Sequence, residues 1–599
     1  MTGSLLQADV CIYGAGLGGI AAAYVLLEQG KSVVLVEPTA WIGGQMTSQG
    51  VSALDEHAFI EQHPGTSSYG KLRSDIRTTS ARMHGITGYD PAHFNPGNGW
   101  VSRLCFEPRH ALAVLEAKLA PWLASGRCRL FCSTLLESVQ RRGSRIQSMS
   151  FGKQDGGTII CEAAYVIDAS ELGDVLVAAQ LATVCGAESF DDTQESHAPA
   201  EARPNEIQGF TYGFAVSFVP DSHNVIPKPE GYEELRDSQP FSLTLTGSDG
   251  TPRPFRVFET GPTGLPPFWT YRRIWDGQLH TPPSADIALI NWNSNDYHRS
   301  TLIDDDPATQ RAINDEAKRL SLAFLYYLQT EVPRDDGSGY GYPELRLLRD
   351  VMGTHDGLSM APYIRESRRT PGMVRITAND ILASAVPTAR ARHWPDSIGI
   401  GWYPMDLHPA VGNPRSLYEP TRPFQIPLGA LIPPDCDNLI CANKNIATTH
   451  LSNGSYRLHP VEWSIGTGAG MAVVVAHERT VTLQAVWRSS TGLHEVQSRL
   501  LNAGTQLAWA TDITVEHDLF LPTQWMLLQE VITHDSKRSQ QLDVLPDEAL
   551  TEGEYTRFCT ALLRAGHNTH PVCPISWRAA CIMVGSLDII SRTTDRARF

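Results

Sequence analysis

The sequence predicts an α/β chain: a parallel-sheet domain at the amino terminus, an α+β domain inserted into it, and a helical region at the carboxyl end. Three observations carry this. Residues 9–37 run as apolar strand, glycine-rich turn, alanine-rich helix and second apolar strand. Two more strand-and-turn segments, at 163–175 and 438–477, bracket a middle stretch rich in Pro and aromatics. Beyond residue 480 the pattern becomes helical.

Composition removes several function classes. With 599 residues, 42% hydrophobic and 19% charged, the chain is globular and long enough for two to four domains. Acids outnumber bases 65 to 49, so no basic face is available and nucleic acid is excluded as a partner. No run of 18 apolar residues occurs, so no membrane span is expected. The opening MTGSLLQADVCIYG has no basic n-region, and the expectation is a soluble, cytoplasmic protein. Eleven cysteines, an odd number with no CxxC, indicate neither a zinc site nor a disulfide framework, and no metal is expected. Cys11, Cys161 and Cys441 read as small core residues, and Cys436 and Cys441 as unrelated thiols flanking a strand.

The strand DVCIY runs into Gly14-Ala15-Gly16-Leu17-Gly18-Gly19, and KSVVLVE ends in Glu37. This is GxGxxG in its required setting, a Rossmann-like unit. Gly14 makes the tight turn, Gly16 admits a pyrophosphate to the backbone, and Gly19 lets the helix pack on the sheet. The helix N-terminus offers N–H groups and a positive dipole end to phosphate. Glu37 is placed to accept ribose hydroxyls and repels a 2′-phosphate, which argues against NADP. The motif alone does not separate NAD from FAD.

Other segments do separate them. After Glu37 comes the glycine pair of WIGGQMTSQG, Gly43 and Gly44, leading into Gln45, Thr47, Ser48 and Gln49. This resembles the glutathione-reductase-type flavoproteins, where such a pair feeds the flavin pocket. AAYVIDASELGDV is similar to the DATGxGD turn that closes the FAD site there; it matches at Asp168, Ala169, Gly173 and Asp174 and departs at Ser170 and Glu171. In 438–477, a strand, a turn carrying Arg457 and a glycine-rich helix with Gly466, Thr467, Gly468 and Gly470 predict a flavin ring near a helix N-terminus. APYIRESRRTPGMVRITANDI and IGIGWYPMDLHP complete a resemblance to the FAD-dependent oxidoreductases of the fumarate-reductase-like branch, over more than half the chain. The resemblance implies FAD as cofactor and does not name a substrate.

In that layout residues 1–190 begin the FAD-binding domain, 191–395 form the inserted substrate domain, 396–480 return, and 481–599 are mainly helical, as a packed cap or a homodimer contact. GSGYGY at 337–342 follows charged loop residues, so no second Rossmann unit for NAD(P)H is expected. No histidine lies in 45–50, which predicts noncovalent FAD.

Chemistry at flavin N5 needs a hydride donor and a base for the accompanying proton. His57, His408, His450 and His459 are the acid–base candidates, with His450 and His459 favoured because they bracket the start of the glycine-rich helix. Arg365 either clamps a substrate carboxylate or pairs with Glu366 in the core. Trp269, Tyr271, Trp275, Trp292 and Tyr297 either line a pocket or form ordinary core. The leading expectation is a dehydrogenase or oxidase that takes hydride from a small polar or oxygenated substrate and is reoxidised by oxygen or another acceptor. The rivals are an NAD(P)H-fed monooxygenase or reductase, and a protein that carries FAD for binding alone.

Overall fold

The protein is described by a computed structural model covering residues 4–587, apart from 155, 247–250, 304–305, 568, 570 and 573. The amino-terminal alternation folds as read: β1 (Ser4–Tyr13), α1 (Leu17–Glu28) and β2 (Val33–Val36). After α2 (Ser67–Met83) and α3 (Pro108–Ala124) come β3 (Cys128–Phe131), β4 (Thr134–Arg142), β5 (Arg145–Lys153) and β6 (Thr158–Asp168). The sheet order is β3-β2-β1-β6-β5-β4. β1, β2, β3 and β6 are parallel, while β4 and β5 are antiparallel additions. Strand Leu439–Cys441 joins β6 in parallel at Val166–Asp168, beyond the stretch that β5 covers.

The carboxyl ends of these strands coincide, because Tyr13 aligns with both Val36 and Asp168, and Asp168 with Cys441. A crevice at such aligned ends is where open α/β sheets bind ligands.

The inserted domain has its own sheet, in the order Arg273–Trp275, Ile287–Ile290, Phe214–Phe218, Leu345–Leu347. It packs with helix Pro307–Thr330, which Asp306 caps by accepting from the backbone N–H groups of Ala308 and Thr309. Its apolar core runs from Phe210 to Ile364. Ile376, Ile381 and Trp394 already belong to the nucleotide-binding core, so the insertion closes earlier than the expected boundary at 395.

The carboxyl-terminal region is helical but has no core of its own. Leu483, Leu500, Phe520, Phe558 and Val584 bury in the same cluster as β1 and α1. Residues 337–342 form a turn in which Arg334 N–H bonds to the Gly339 carbonyl, with no strand or helix around a glycine loop. All cysteines among the described residues are free; Cys573 lies outside them. Among the described residues no helix is long and apolar enough to cross a membrane.

Candidate functional site

The turn after β1 is built on absent side chains. Gly14 has φ +95°, and a Cβ there would fall 2.2 Å from the Ala169 carbonyl oxygen. A Cβ on Gly19 would meet the Gly14 carbonyl at 2.0 Å. Helix α1 then begins at Leu17 with no side chain capping it and no acid in its first turn. Gly16, Leu17, Gly18 and Gly19 are all buried, so the first-turn N–H groups face neither water nor an intrahelical carbonyl. That is the electrostatic signature of an anion cradle.

Glu37 closes the far side of this turn. One of its carboxylate oxygens accepts from Ala15 N–H at 2.8 Å; the other accepts from the Thr39 backbone N–H and hydroxyl. Burial pushes the carboxyl up to about 7, against these bonds. The folded state therefore holds this proton more tightly than the unfolded chain, whose carboxyl titrates near its ordinary value of 4.5. The resulting stabilisation is full below pH ~4.5 and is lost as pH rises through ~7. Glu37→Gln is expected to flatten the decline of Tm between pH 5 and 7.5; identical slopes in variant and wild type would refute it.

The 43–49 segment is wrapped against the turn. Gly43 N–H bonds to the Ala15 carbonyl at 2.7 Å, and Gly44 abuts Gly16, its absent Cβ falling 2.8 Å from the Gly16 Cα. Thr47 donates to the Ile42 carbonyl, Ser48 stands 3.5 Å from the Gly44 carbonyl, and Gln45 donates to the Arg457 carbonyl. The side-chain oxygens of Gln45 and Gln49 are buried without a partner. Asp168 serves its own turn: it accepts from Ser170 and from Leu176 N–H. Gly173, at φ +70°, lies against the Arg368 backbone.

Three assignments need correction. The glycine-rich helix begins at His459, so Gly466, Thr467 and Gly468 lie about two turns inside it rather than at its N-terminus. A Cβ on Gly466 would sit 2.0 Å from the Gly18 carbonyl oxygen, and one on Gly468 2.1 Å from Ile398. These glycines let the helix cross α1 and pack on strand Ser397–Gly401. Thr467 spends its hydroxyl on the Trp463 carbonyl.

Beside Gly16 sits a side chain the sequence marked only as a departure. The Gly16 Cβ position is 3.2 Å from a Glu171 carboxylate oxygen. Glu171 accepts from Asn443 and, at 2.7 Å, from the ammonium of Lys444, which also pairs with Glu462 at 2.6 Å. Lys444 is fully buried, and the two carboxylates outweigh that burial to keep it charged.

A cavity of about 780 Å³ opens on the inserted-domain side. Four arginines line it, and three of them pair with a carboxylate: Arg272 with Asp55 at 3.1 Å, Arg365 with Asp296 at 2.9 Å, and Arg457 with Asp406 at 3.3 Å; Arg253 is the fourth. Tyr271, Tyr363, Tyr403 and Tyr418 add phenols to the wall. Arg457 also donates to the Tyr363 hydroxyl at 2.8 Å, and through Gln45 its backbone ties this wall to the 43–49 segment. The Nε atoms of Arg272, Arg365 and Arg457 lack a partner.

His408 lines the cavity as well. Its Nδ1 is 2.5 Å from an Asp296 oxygen and its Nε2 3.5 Å from Asp406. Burial raises the Asp296 carboxyl, but Arg365 and His408 overcome it and hold it well below the usual carboxylate range. Asp296 is thus a fixed anion on the Nδ1 side of the ring, and Asp406 stands on the Nε2 side.

The favoured histidines are elsewhere. His459 accepts from Asp55 N–H at Nδ1 and bonds the Val51 carbonyl through Nε2, which uses both ring nitrogens on backbone; burial lowers it to about 4. His450 is held on Glu366 and lines a smaller cavity of about 280 Å³ that shares Leu407, His408 and Ser416 with the main one. His57 does reach the main cavity, yet burial lowers it to about 3 and its ring packs edge-on against Trp509. Arg365 lines the cavity and does not pair with Glu366: it pairs with Asp296 and donates to Gly209 and Thr211, while Glu366 pairs with Arg369 and His450. Of the aromatics, Tyr271 and Trp292 line the cavity, whereas Trp269, Trp275 and Tyr297 are absent from its wall.

The family description "FAD dependent oxidoreductase" matches residues 9–500. The chain belongs to that family. No curated protein matches it. Among solved structures, a mutant form of E. coli quinol fumarate reductase FrdA is 10% identical over 98% of this chain and 88% of its own, with a TM-score of 0.29. A geranylgeranyl bacteriochlorophyll reductase-like protein from Thermoplasma acidophilum is 8% identical over 94% and 99%, with a TM-score of 0.32. L-proline dehydrogenase from P. horikoshii is 16% identical over 31% of this chain and a quarter (25%) of its own, with a TM-score of 0.17.

As a FAD-dependent oxidoreductase the protein is an enzyme with FAD as its cofactor, and the cradle fits that group in chemistry. The buried, uncapped start of α1 is suited to the pyrophosphate, and Glu37, just after β2, is the residue that would hold the ribose. The Glu171 carboxylate stands beside Gly16.

Proposed function

We propose that this FAD-dependent oxidoreductase oxidises a small, neutral, hydroxyl-bearing organic molecule bound in the 780 Å³ cavity. The observation that carries this reading is His408, a cavity-wall imidazole seated on the ionised Asp296. An imidazole oriented by a buried carboxylate acts as a general base through its other nitrogen. His408 Nε2 accepts the proton of a substrate hydroxyl as the C–H bond on the same carbon breaks. FAD, when bound, supplies the two-electron acceptor for that hydride. Oxygen or another acceptor then reoxidises it.

Charge balance supports a neutral substrate. Three of the four arginines in the wall face a carboxylate, so these three add no cationic excess that would clamp an anion. What remains is hydrogen-bonding capacity, from the four phenols of the wall.

The test is anaerobic mixing of the FAD-loaded protein with a panel of sugars, polyols and hydroxy compounds, and separately with NADH and NADPH. Bleaching of the flavin band by a panel member, and by neither nicotinamide, is the expected result. Rapid bleaching by NADPH or NADH alone would overturn this reading in favour of a nicotinamide-fed reductase or monooxygenase.

A further inference from the structure

The 85–106 segment leaves the nucleotide-binding core at the end of α2 and returns at the start of α3. His84 is the C-cap of α2; Glu107 is the N-cap of α3, and His110 lies in its first turn. Glu107 has the extended backbone of an N-cap residue, yet its side chain makes no capping bond. It turns to the histidines instead. One Glu107 oxygen is 2.9 Å from His84 Nε2 and 3.9 Å from His110 Nε2, and one ligand atom from each of the three residues lies within 4.8 Å of the others.

We propose that His84, Glu107 and His110 form a binding site for a divalent transition metal, with Zn²⁺ the best fit, that fastens the 85–106 segment to the inserted domain. Zn²⁺ holds N and O ligands at about 2.0–2.2 Å, which in a tetrahedron spaces them roughly 3.4 Å apart. The observed 2.9 and 3.9 Å bracket that spacing. Two imidazoles and one carboxylate select late first-row metals over Mg²⁺ or Ca²⁺, which take all-oxygen sets. This departs from the expectation of no metal, which rests on the cysteines and leaves these histidines out of account.

Each ring is held from outside the triad, as metal-ligating imidazoles are. His110 Nδ1 is 2.8 Å from the buried Ser80 hydroxyl, which directs Nε2 toward Glu107. His84 stacks on Trp275 of the inserted domain, with centroids 3.6 Å apart and planes 13° from parallel. The His84 and Glu107 side chains keep 22% and 17% of their surface, enough for the ion to enter and for water to fill a fourth position.

The metal acts at a distance from the chemistry. Between the two helix ends, the segment bonds to the inserted domain through Gly97, Asn98, Trp100 and Val101. Trp100 and Val101 are part of the main cavity wall. Fixing the base of the segment therefore fixes one side of the substrate cavity.

The test uses the full-length, FAD-loaded protein, stripped with a chelator and titrated with ZnCl₂ by calorimetry and thermal melting. Wild type is expected to take up one equivalent with a rise in Tm. Glu107→Gln, which keeps the shape and the His84 bond but removes the charge, is expected to bind about 100-fold more weakly. His110→Ala, the second variant, is expected to abolish uptake, with its near-ultraviolet dichroism confirming that it is folded. No stoichiometric uptake by wild type, or undiminished uptake in both variants, overturns the site. The readout is metal binding, so it does not depend on the substrate being known.

Discussion

Replacing His408 by glutamine is expected to lower kcat by about 10²–10⁴-fold, the usual cost of losing a positioned general base. Glutamine can still donate to Asp296, so the buried anion keeps Arg365, Thr211 and an amide partner. What disappears is the second ring nitrogen, the one on the Asp406 side. FAD content, read from the visible spectrum, should not change, because His408 lies on the inserted-domain side and not on the cradle. A variant that reduces its flavin within threefold of the wild-type rate would remove His408 from the mechanism. The next residue to test would then be Tyr403, another protic group of the same wall.

The second large effect concerns the cofactor. Glu171→Gly is expected to tighten FAD binding at least tenfold, which is about 1.4 kcal/mol. The Glu171 carboxylate lies 3.2 Å from the Cβ position of Gly16, the second glycine of the motif, so it crowds the approach by which that glycine admits a phosphate. Removing it also frees Lys444, which keeps only Glu462, to face the phosphates. Titration of FAD against stripped protein, followed by quenching of flavin fluorescence, measures this directly. Tenfold weaker binding in the variant would show the opposite: that Glu171, through Asn443 and Lys444, helps to hold the cofactor.

How much of this was visible in the sequence depended on how local the information is. The turn from Gly14 to Gly19 and its partner Glu37 could be read because strand, turn, helix and acid follow one another within thirty residues. The cavity could not. Asp55, Arg272, Tyr363, Asp406 and His408 come from four separate stretches, and no spacing rule joins them. His408 stood among the candidates, but its rank depends on Asp296, more than a hundred residues away in the chain. The Gly466–Gly470 series shows a different failure. Small residues admit a ring or another backbone equally well, and only the position of Gly18 reveals that they admit α1. Glu171 was legible in the opposite sense, as a charged residue in a place where the family motif has none.

The crossing of α1 with helix His459–Arg479 also sets a timetable for synthesis. Gly18 leaves the ribosome some 450 residues ahead of Gly466, and β6 waits through the whole insertion for Leu439–Cys441. At translation rates of about 5–20 residues per second that delay is roughly 20–90 s. During it the inserted domain, with a core of its own, can fold alone, while the apolar faces of β1 and α1 stay exposed to proteases and to neighbouring nascent chains. The nucleotide grip is first in the message and last to close, so a chain cut short before residue 460 keeps the motif and lacks the helix that shuts it.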